Sequence, residues 1–484
     1  MADIKQIQNG EKLTFGDQIS LTAKLAFPAI VAQLSSILMQ YIDASMVGQL
    51  GADDAAAIGL VSTSLWLFWG ICSAMTMGFS VQVAHKVGAK DFEGARRVLR
   101  QGVTTSLIFS AIVALIGVCV AFPLPHWLGG VDAICSKSTS YFLIFVAALP
   151  FLTINFLASG MLRCVGDMKT PGMLYVLMAI MDVVFNFVLI FPTHHISLWG
   201  MNLVIPGADL GVIGAALGTV IAEIITALLM NYFLMFRQPD LRIVGERGSY
   251  RPDATILRKA LKISAPMTME HAVICGAQIA VTVIVAPLGV VAIAANAFAI
   301  TAESLCYMPG YGIGDAATTL VGQSHGAGRR NLVKRFGYIT VGLGVVVMSV
   351  MGVVMWLAAP FMMNLMTPVE EIRILGTEIL RIEAWAEPMF AASIVAYGVF
   401  VGVGDTMLPA FMNFGSIWLV RLPLAALLAP SFGLKGVWMA MCAELCFRGL
   451  IFLARLVSGK WNKLKKNDIA KDEAIIDGNW ENLN

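Results

Sequence analysis

Long apolar stretches alternate with short polar ones along the whole chain. Twelve of them reach the roughly 20 predominantly apolar residues that a helix needs to cross a bilayer. They fall at 24–49, 55–84, 99–123, 136–160, 171–192, 209–236, 263–288, 291–321, 335–361, 377–402, 409–430 and 433–457. The pattern predicts an all-α membrane protein with twelve transmembrane helices. The first apolar run starts only after a polar stretch of about 24 residues and is long enough to span, unlike a cleavable signal peptide.

Composition sharpens this. Of 484 residues, 58% are hydrophobic and 13% are charged, where soluble domains carry about 25% charge. So little charge cannot clothe a water-facing surface of this size. It argues against a soluble enzyme, a disordered chain and a nucleic-acid binder. The 45 Gly and 27 Met suit closely packed helices and a cavity with adaptable walls.

The basic residues predict an orientation. Counted over loops and ends, 27 Lys and Arg fall on one side and 4 on the other, with Arg421 and Arg448 inside spans. By the positive-inside rule both termini should be cytoplasmic. The expected parts are a cytoplasmic segment 1–23, spans one to six at 24–236, a basic linker 237–262, spans seven to twelve at 263–457, and a cytoplasmic tail 458–484.

The chain also repeats itself at an offset of 238 residues. Pro28 pairs with Pro266, Gly88-Ala89 with Gly326-Ala327, Pro150 with Pro388, Gly166-Asp167 with Gly404-Asp405, and Pro171 with Pro409. The register then breaks, because the first half has about 16 extra residues near His194–Ala208. Each unit holds six spans, an even number. The halves should therefore be parallel repeats about a pseudo-twofold axis along the membrane normal, with substrate sites between or within them.

Glycines and prolines are shared between the repeats, but intramembrane acids are not. Asp43 pairs with Val281, Asp182 with Val420, Glu270 with Ala32 and Glu303 with Leu65. A carboxylate at mid-bilayer costs about 2.5–3.5 kcal/mol on insertion scales and usually marks an ion or substrate site. Asp43 should sit in the outer half of span one, with Gln40 one turn away to hydrogen-bond it. Asp182 and Asn186 are one turn apart on span five and are expected to share a site with Asp43. Two close carboxylates hold protons more tightly. Glu270 and Glu303, on spans seven and eight, are candidates to face a substrate cavity, together with Gln40. Glu223, Glu387 and Glu444 read as structural, Arg421 as a salt-bridge partner, and Asp315 as a partner for loop arginines. The eight Cys and six His show no metal-ligand spacing, and there is no phosphate-binding loop. No cofactor, catalytic residue or metal is expected.

Several motifs resemble the multidrug and toxic compound extrusion (MATE) family of antiporters, prokaryotic type. They are Asp43-Ala-Ser-Met-Val-Gly48-Gln-Leu-Gly51, Val87-Gly88-Ala89 with Arg96-Arg97, Val321-Gly322-Gln323-Ser-His-Gly326-Ala327-Gly328, and Gly160-Met-Leu-Arg163-Cys-Val-Gly166-Asp167 with its repeat Gly402-Val-Gly404-Asp405. The match runs from about Ala23 to Leu456. The resemblance implies a V-shaped pair of six-helix lobes that alternate access. It implies export of cationic or amphiphilic small molecules against inward H+ or Na+, by a monomer in a bacterial inner membrane. Asp43 matches the family's span-one carboxylate. In span five the family often has Asn-x-x-x-Asp or Asn-x-x-x-Asn. The order here is Asp182-x-x-x-Asn186, which places the acid one turn earlier. Sodium-coupled members often have acids in spans seven, eight and ten; Glu270 and Glu303 match loosely, but no Asp stands midway along span ten, so the coupling ion stays open with protons favoured.

The nearest alternative is a lipid-linked oligosaccharide flippase of related fold. Binding a pyrophosphate head group favours several basic residues in the cavity, and only Arg421 and Arg448 lie within spans. A major-facilitator carrier is disfavoured because residues 85–97 lack its usual loop pattern.

Overall fold

Eleven helices among the described residues are each long and apolar enough to cross a membrane, and a bent helix pair supplies a twelfth span. The computed structural model describes residues 3–198, 201–243, 245 and 248–462. The expected tail from 458 therefore lies, beyond Asn462, outside the described residues.

Spans one to six are Phe15–Gly48, Asp53–Gly88, Phe92–Ala121, Asp132–Cys164, Lys169–Ile190 and Gly211–Arg237. They form the N-lobe. Spans seven to nine are Ala254–Leu288, Val290–Gly326 and Arg330–Met366, and spans eleven and twelve are Met407–Phe432 and Leu434–Ser458. Span ten is the pair Glu370–Glu383 and Glu387–Gly402, bent by 59°. Together these form the C-lobe.

Several helices outrun the apolar stretches that predicted them. Span one begins at Phe15, not at residue 24, because Thr14 and Asp17 close a capping box around its first turn. Span seven likewise starts at Ala254, inside the expected linker, where the Asp253 side chain accepts from the Thr255 amide. The expected N-terminal segment also holds a short helix, Lys5–Asn9.

The break in span ten has a local cause. Pro388 has no N–H to donate back to residue 384, and it stands in the first turn of the second helix, which begins at Glu387, where that missing donor costs nothing. The extra residues between spans five and six form an antiparallel hairpin. Strand β1 (Pro192–Leu198) pairs with β2 (Met201–Ala208), from Pro192 opposite Ala208 to Leu198 opposite Met201. His194 and His195 lie in β1.

The two lobes meet most closely at the face that carries both ends of the described chain, called here the terminal face. Ile4, Ile7, Leu13, Leu25, Ile313, Leu320, Phe400 and Trp461 share one buried cluster there. The contact obeys the repeat. A Cβ added at Gly88 would lie 2.1 Å from the Gln323 carbonyl oxygen, and one at Gly326 would lie 2.0 Å from the His85 carbonyl oxygen. Gly88 and Gly326 are repeat partners, and so are His85 and Gln323. The approach is thus the same contact made twice about a pseudo-twofold axis. An ion pair between Arg163 of span four and Asp315 of span eight also crosses the seam. The Gln33 side-chain amide donates to the same Asp315 carboxylate at 3.4 Å.

Candidate functional site

Inside the N-lobe, spans one, five and six converge on one amide. Asp182 and Asn186 are four residues apart, so they stack on one face of span five. Asn186 Nδ2 donates to Asp43 Oδ1 at 2.9 Å, to Asp182 Oδ2 at 3.1 Å, and lies 3.3 Å from Thr219 Oγ1. Asp182 and Asn186 are buried, and Asp43 is half-buried. The three residues expected to share a site are therefore brought together. The span-five order explains how: Asn186 takes the place between the two carboxylates, and the acid sits one turn nearer the terminal face.

This cluster is rich in acceptors and poor in donors. One NH2 group has two hydrogens and faces three acceptors. Asp182 Oδ1 and Asn186 Oδ1 are buried with no hydrogen-bond partner. Among the described residues no ion pair ties Asp43 or Asp182 to a base. Such a group of oxygens can take up a proton or a small cation. The close packing of span six allows it: a Cβ at Gly218 would fall 2.1 Å from Asn186 Oδ1.

Gln40 is a correction. It was expected to hydrogen-bond Asp43, but it is exposed, and Asp43 takes its bond from Asn186. Three steps of about 100° leave the side chains at 40 and 43 about 60° apart around the helix, at the edge of one shared face. The inward turn of Asp43 toward span five leaves Gln40 outside.

Glu270 and Glu303 belong to a separate cluster within the C-lobe, and both are buried. Glu270 is held from within the lobe: the Tyr397 hydroxyl donates to Oε2 at 2.5 Å, and the Asn413 amide donates to Oε1. Glu303 lies within electrostatic reach of Arg421 and Arg448. Neither is gathered with Gln40. Arg421 pairs with Glu444 at 2.6 Å, as its expected salt-bridge role required, and Arg448 pairs with the same carboxylate at 3.0 Å. Ser416 donates to it as well, at 2.6 Å. Glu444 is thus a structural acid.

Thr219 and the buried acid Glu383 escaped the sequence reading. Thr219 touches Asn186, but a single hydroxyl in an apolar helix carries no signal. Glu383 went unnoticed and Glu387 was read as structural. Both are fully buried, and none of their four carboxylate oxygens has a hydrogen-bond partner. The signal was present: their repeat partners, Phe145 and Leu149, are apolar. That is the same asymmetry that singled out Asp43.

A family model described as MatE matches residues 28–188 and 266–427, once in each half, with starts 238 residues apart. The chain belongs to the MATE family of transporters. Among its relatives, a probable multidrug resistance protein NorM of Thermotoga maritima is 26% identical over 448 residues. That match covers 91% of this chain and 92% of the relative. A probable NorM of Brucella suis is 27% identical, covering 93% and 94%. Solved structures agree on the fold. A Vibrio cholerae MATE transporter superposes with a TM-score of 0.83 at 18% identity, covering 93% of this chain and 99% of that one. A transporter of the wider MOP superfamily from Pyrococcus furiosus gives 0.83 at 18% identity, covering 94% and 98%. This MATE chain is thus a multi-pass membrane transporter built from two six-helix lobes.

Proposed function

We propose that this MATE transporter is a secondary antiporter that exports cationic or amphiphilic compounds from a bacterial cell in exchange for protons. In this reading it sits as a monomer in the inner membrane with the terminal face in the cytoplasm. The relatives named for multidrug resistance and the 27-to-4 distribution of Lys and Arg support it.

One observation carries the coupling: a single buried amide bridges two carboxylates, Asp43 and Asp182, that have no basic partner among the described residues. In a low dielectric two such carboxylates do not both stay charged without a cation. Protonation of Asp43 removes a charge and frees an Asn186 hydrogen, so spans one and five can repack. A proton shifts the two-state equilibrium only as far as it binds one state better than the other, and this amide bridge can differ between states. Glu270 and Glu303 in the C-lobe supply negative charge that favours cationic substrates. The flippase alternative loses ground, because Arg421 and Arg448 are both engaged by Glu444.

The test is efflux of a fluorescent cation from proteoliposomes with pH and Na+ gradients imposed one at a time. A pH gradient alone should drive transport. Transport by a Na+ gradient alone, with none from pH, would make the same carboxylates sodium ligands and sink proton coupling.

A further inference from the structure

The terminal face holds a cleft that the coupling site leaves unused. Its volume is about 390 Å³, within the roughly 300–1,000 Å³ of small-molecule sites. Four pieces of chain wall it: the N-terminal helix Lys5–Asn9, span one, the turn between spans four and five, and the residues just after span six. Lys5, Lys24 and Lys169 line it, with Asp167 and Asp240. Both Asp167 oxygens are taken by Thr170, one by its amide at 3.0 Å and the other by its hydroxyl at 2.6 Å. Among the described residues no ion pair engages any of the three lysines. Three lysines against two aspartates leave one net positive charge, the complement of a single phosphodiester.

The surface beside the cleft is apolar and open to lipid. Lys169 heads a row on span five, followed by Met173, Leu177, Ile180 and Val184. Steps of three and four residues keep the row on one helix face, and all five side chains are exposed. From Lys169 to Val184 the row runs about 22 Å into the membrane. Phe27, one turn beyond Lys24 on span one, and Phe236 of span six are exposed too. Span five packs against both helices at this level. A Cβ at Gly172 would lie 2.9 Å from the Pro28 carbonyl oxygen, and Leu174 shares a buried cluster with Met230 and Leu234. A charge that heads an exposed apolar track matches an amphiphile. The repeat does not demand it: Lys24 pairs with Lys262, but Lys169 pairs with Met407. The third lysine reaches further. Its neighbours Ile4 and Ile7 are buried in the cluster between the lobes, and Gln8 donates to Gln323 of span eight at 3.2 Å.

We propose that this cleft binds an anionic phospholipid from the leaflet at the terminal face. Lys5, Lys24 and Lys169 hold its phosphodiester, and an acyl chain lies along the Met173–Val184 track. Basic pockets between membrane helices take head groups in this way. A zwitterionic lipid brings an ammonium of its own, which the lysines repel, so the site selects phosphatidylglycerol over phosphatidylcholine. Because Lys5 belongs to the N-terminal helix, the bound lipid also pins that helix to the N-lobe. The site stands whichever ion drives transport.

The experiment counts lipid bound to the full chain in detergent by mass spectrometry of the intact complex, with phosphatidylglycerol or phosphatidylcholine added. Wild type should hold one phosphatidylglycerol more tightly than any phosphatidylcholine. Lys24→Gln with Lys169→Gln should weaken that binding roughly tenfold or more. Lys259→Gln with Lys262→Gln removes as much charge from the C-lobe side of the terminal face and should bind as wild type does. Unchanged binding in the first pair would overturn the site. Equal loss in both pairs would reduce it to diffuse attraction and overturn it as well. Excess inorganic phosphate, at ionic strength matched with chloride, should leave the lipid in place; displacement by phosphate would make this an ion site and sink the lipid. Amide hydrogen exchange across Lys5–Asn9 should be slower with phosphatidylglycerol than with phosphatidylcholine, and the Lys24/Lys169 pair should lose the difference. Exchange in wild type that ignores phosphatidylglycerol would take Lys5 out of the site and overturn the three-lysine cleft.

Discussion

The two lobes share a repeat of helices and differ in how they neutralise buried acid. In the N-lobe, Asp43, Asp182 and Glu223 lie within electrostatic reach of one another with an amide, a hydroxyl and phenols around them, and among the described residues no ion pair engages any of them. In the C-lobe, Glu444 is clamped by two guanidiniums and a serine, and Glu270 by a phenol and an amide, while Glu383 and Glu387 are buried there with no hydrogen-bond partner among the described residues. Fixed charge holds structure in place, while acid without fixed counter-charge must borrow it from something that comes and goes. The comparison teaches that one fold can divide the work. The glycines and prolines common to both halves build the lobes, and the unshared carboxylates give each lobe its chemistry.

The sharpest way to break this comparison is Asp43→Asn. It should reduce pH-driven efflux to background while the protein still inserts and purifies. Stability should then separate the lobes. Glu444→Gln leaves the half-buried Arg421 and Arg448 with a weaker partner at the buried position 444, and breaking a buried pair costs up to about 3–5 kcal/mol. A marked fall in thermal midpoint in detergent is expected. Asp182→Asn, which removes a charge with no basic partner, should leave the midpoint unchanged or raise it. If both variants lose stability alike, the N-lobe acids are structural too.

Smaller effects refine the picture. Gly218→Ala puts a methyl group 2.1 Å from Asn186 Oδ1 and 2.9 Å from the Asn186 backbone nitrogen, so the amide cannot keep its present place. Transport should fall by roughly tenfold, on the scale of one lost charge-assisted hydrogen bond at about 1.5–3 kcal/mol. An unaffected rate would show that the bridge is dispensable. Tyr397→Phe removes one of two donors to Glu270. It should lower export of cations a few-fold and leave neutral amphiphiles unchanged. Equal loss for both classes would assign Glu270 to packing.

Much of this was legible in the chain. Span count and repeat followed from apolar length and a constant offset, both properties of a bilayer and of helix geometry rather than of detail. Asp182 and Asn186 were legible as a pair because four residues make one turn. What stayed hidden depends on rotation and on partners. Gln40 is three residues from Asp43, yet packing turned one inward and left the other exposed. Pro150 and Pro388 are repeat partners, but span four runs unbroken through Pro150 whereas span ten bends at its own proline. The proline permits a break, and the surroundings decide whether it happens. Thr219 gave no sign at all, since its role comes from the helix packed against it.

The central claim is that the coupling proton travels through the N-lobe acids and not through those of the C-lobe. Substrate-evoked pH change inside proteoliposomes tests it most directly, with Asp43→Asn and Glu270→Gln measured side by side at matched protein content. The account predicts that Asp43→Asn abolishes the pH signal and that Glu270→Gln keeps its proton-to-substrate ratio while binding cations more weakly. A signal retained in Asp43→Asn and lost in Glu270→Gln would contradict it.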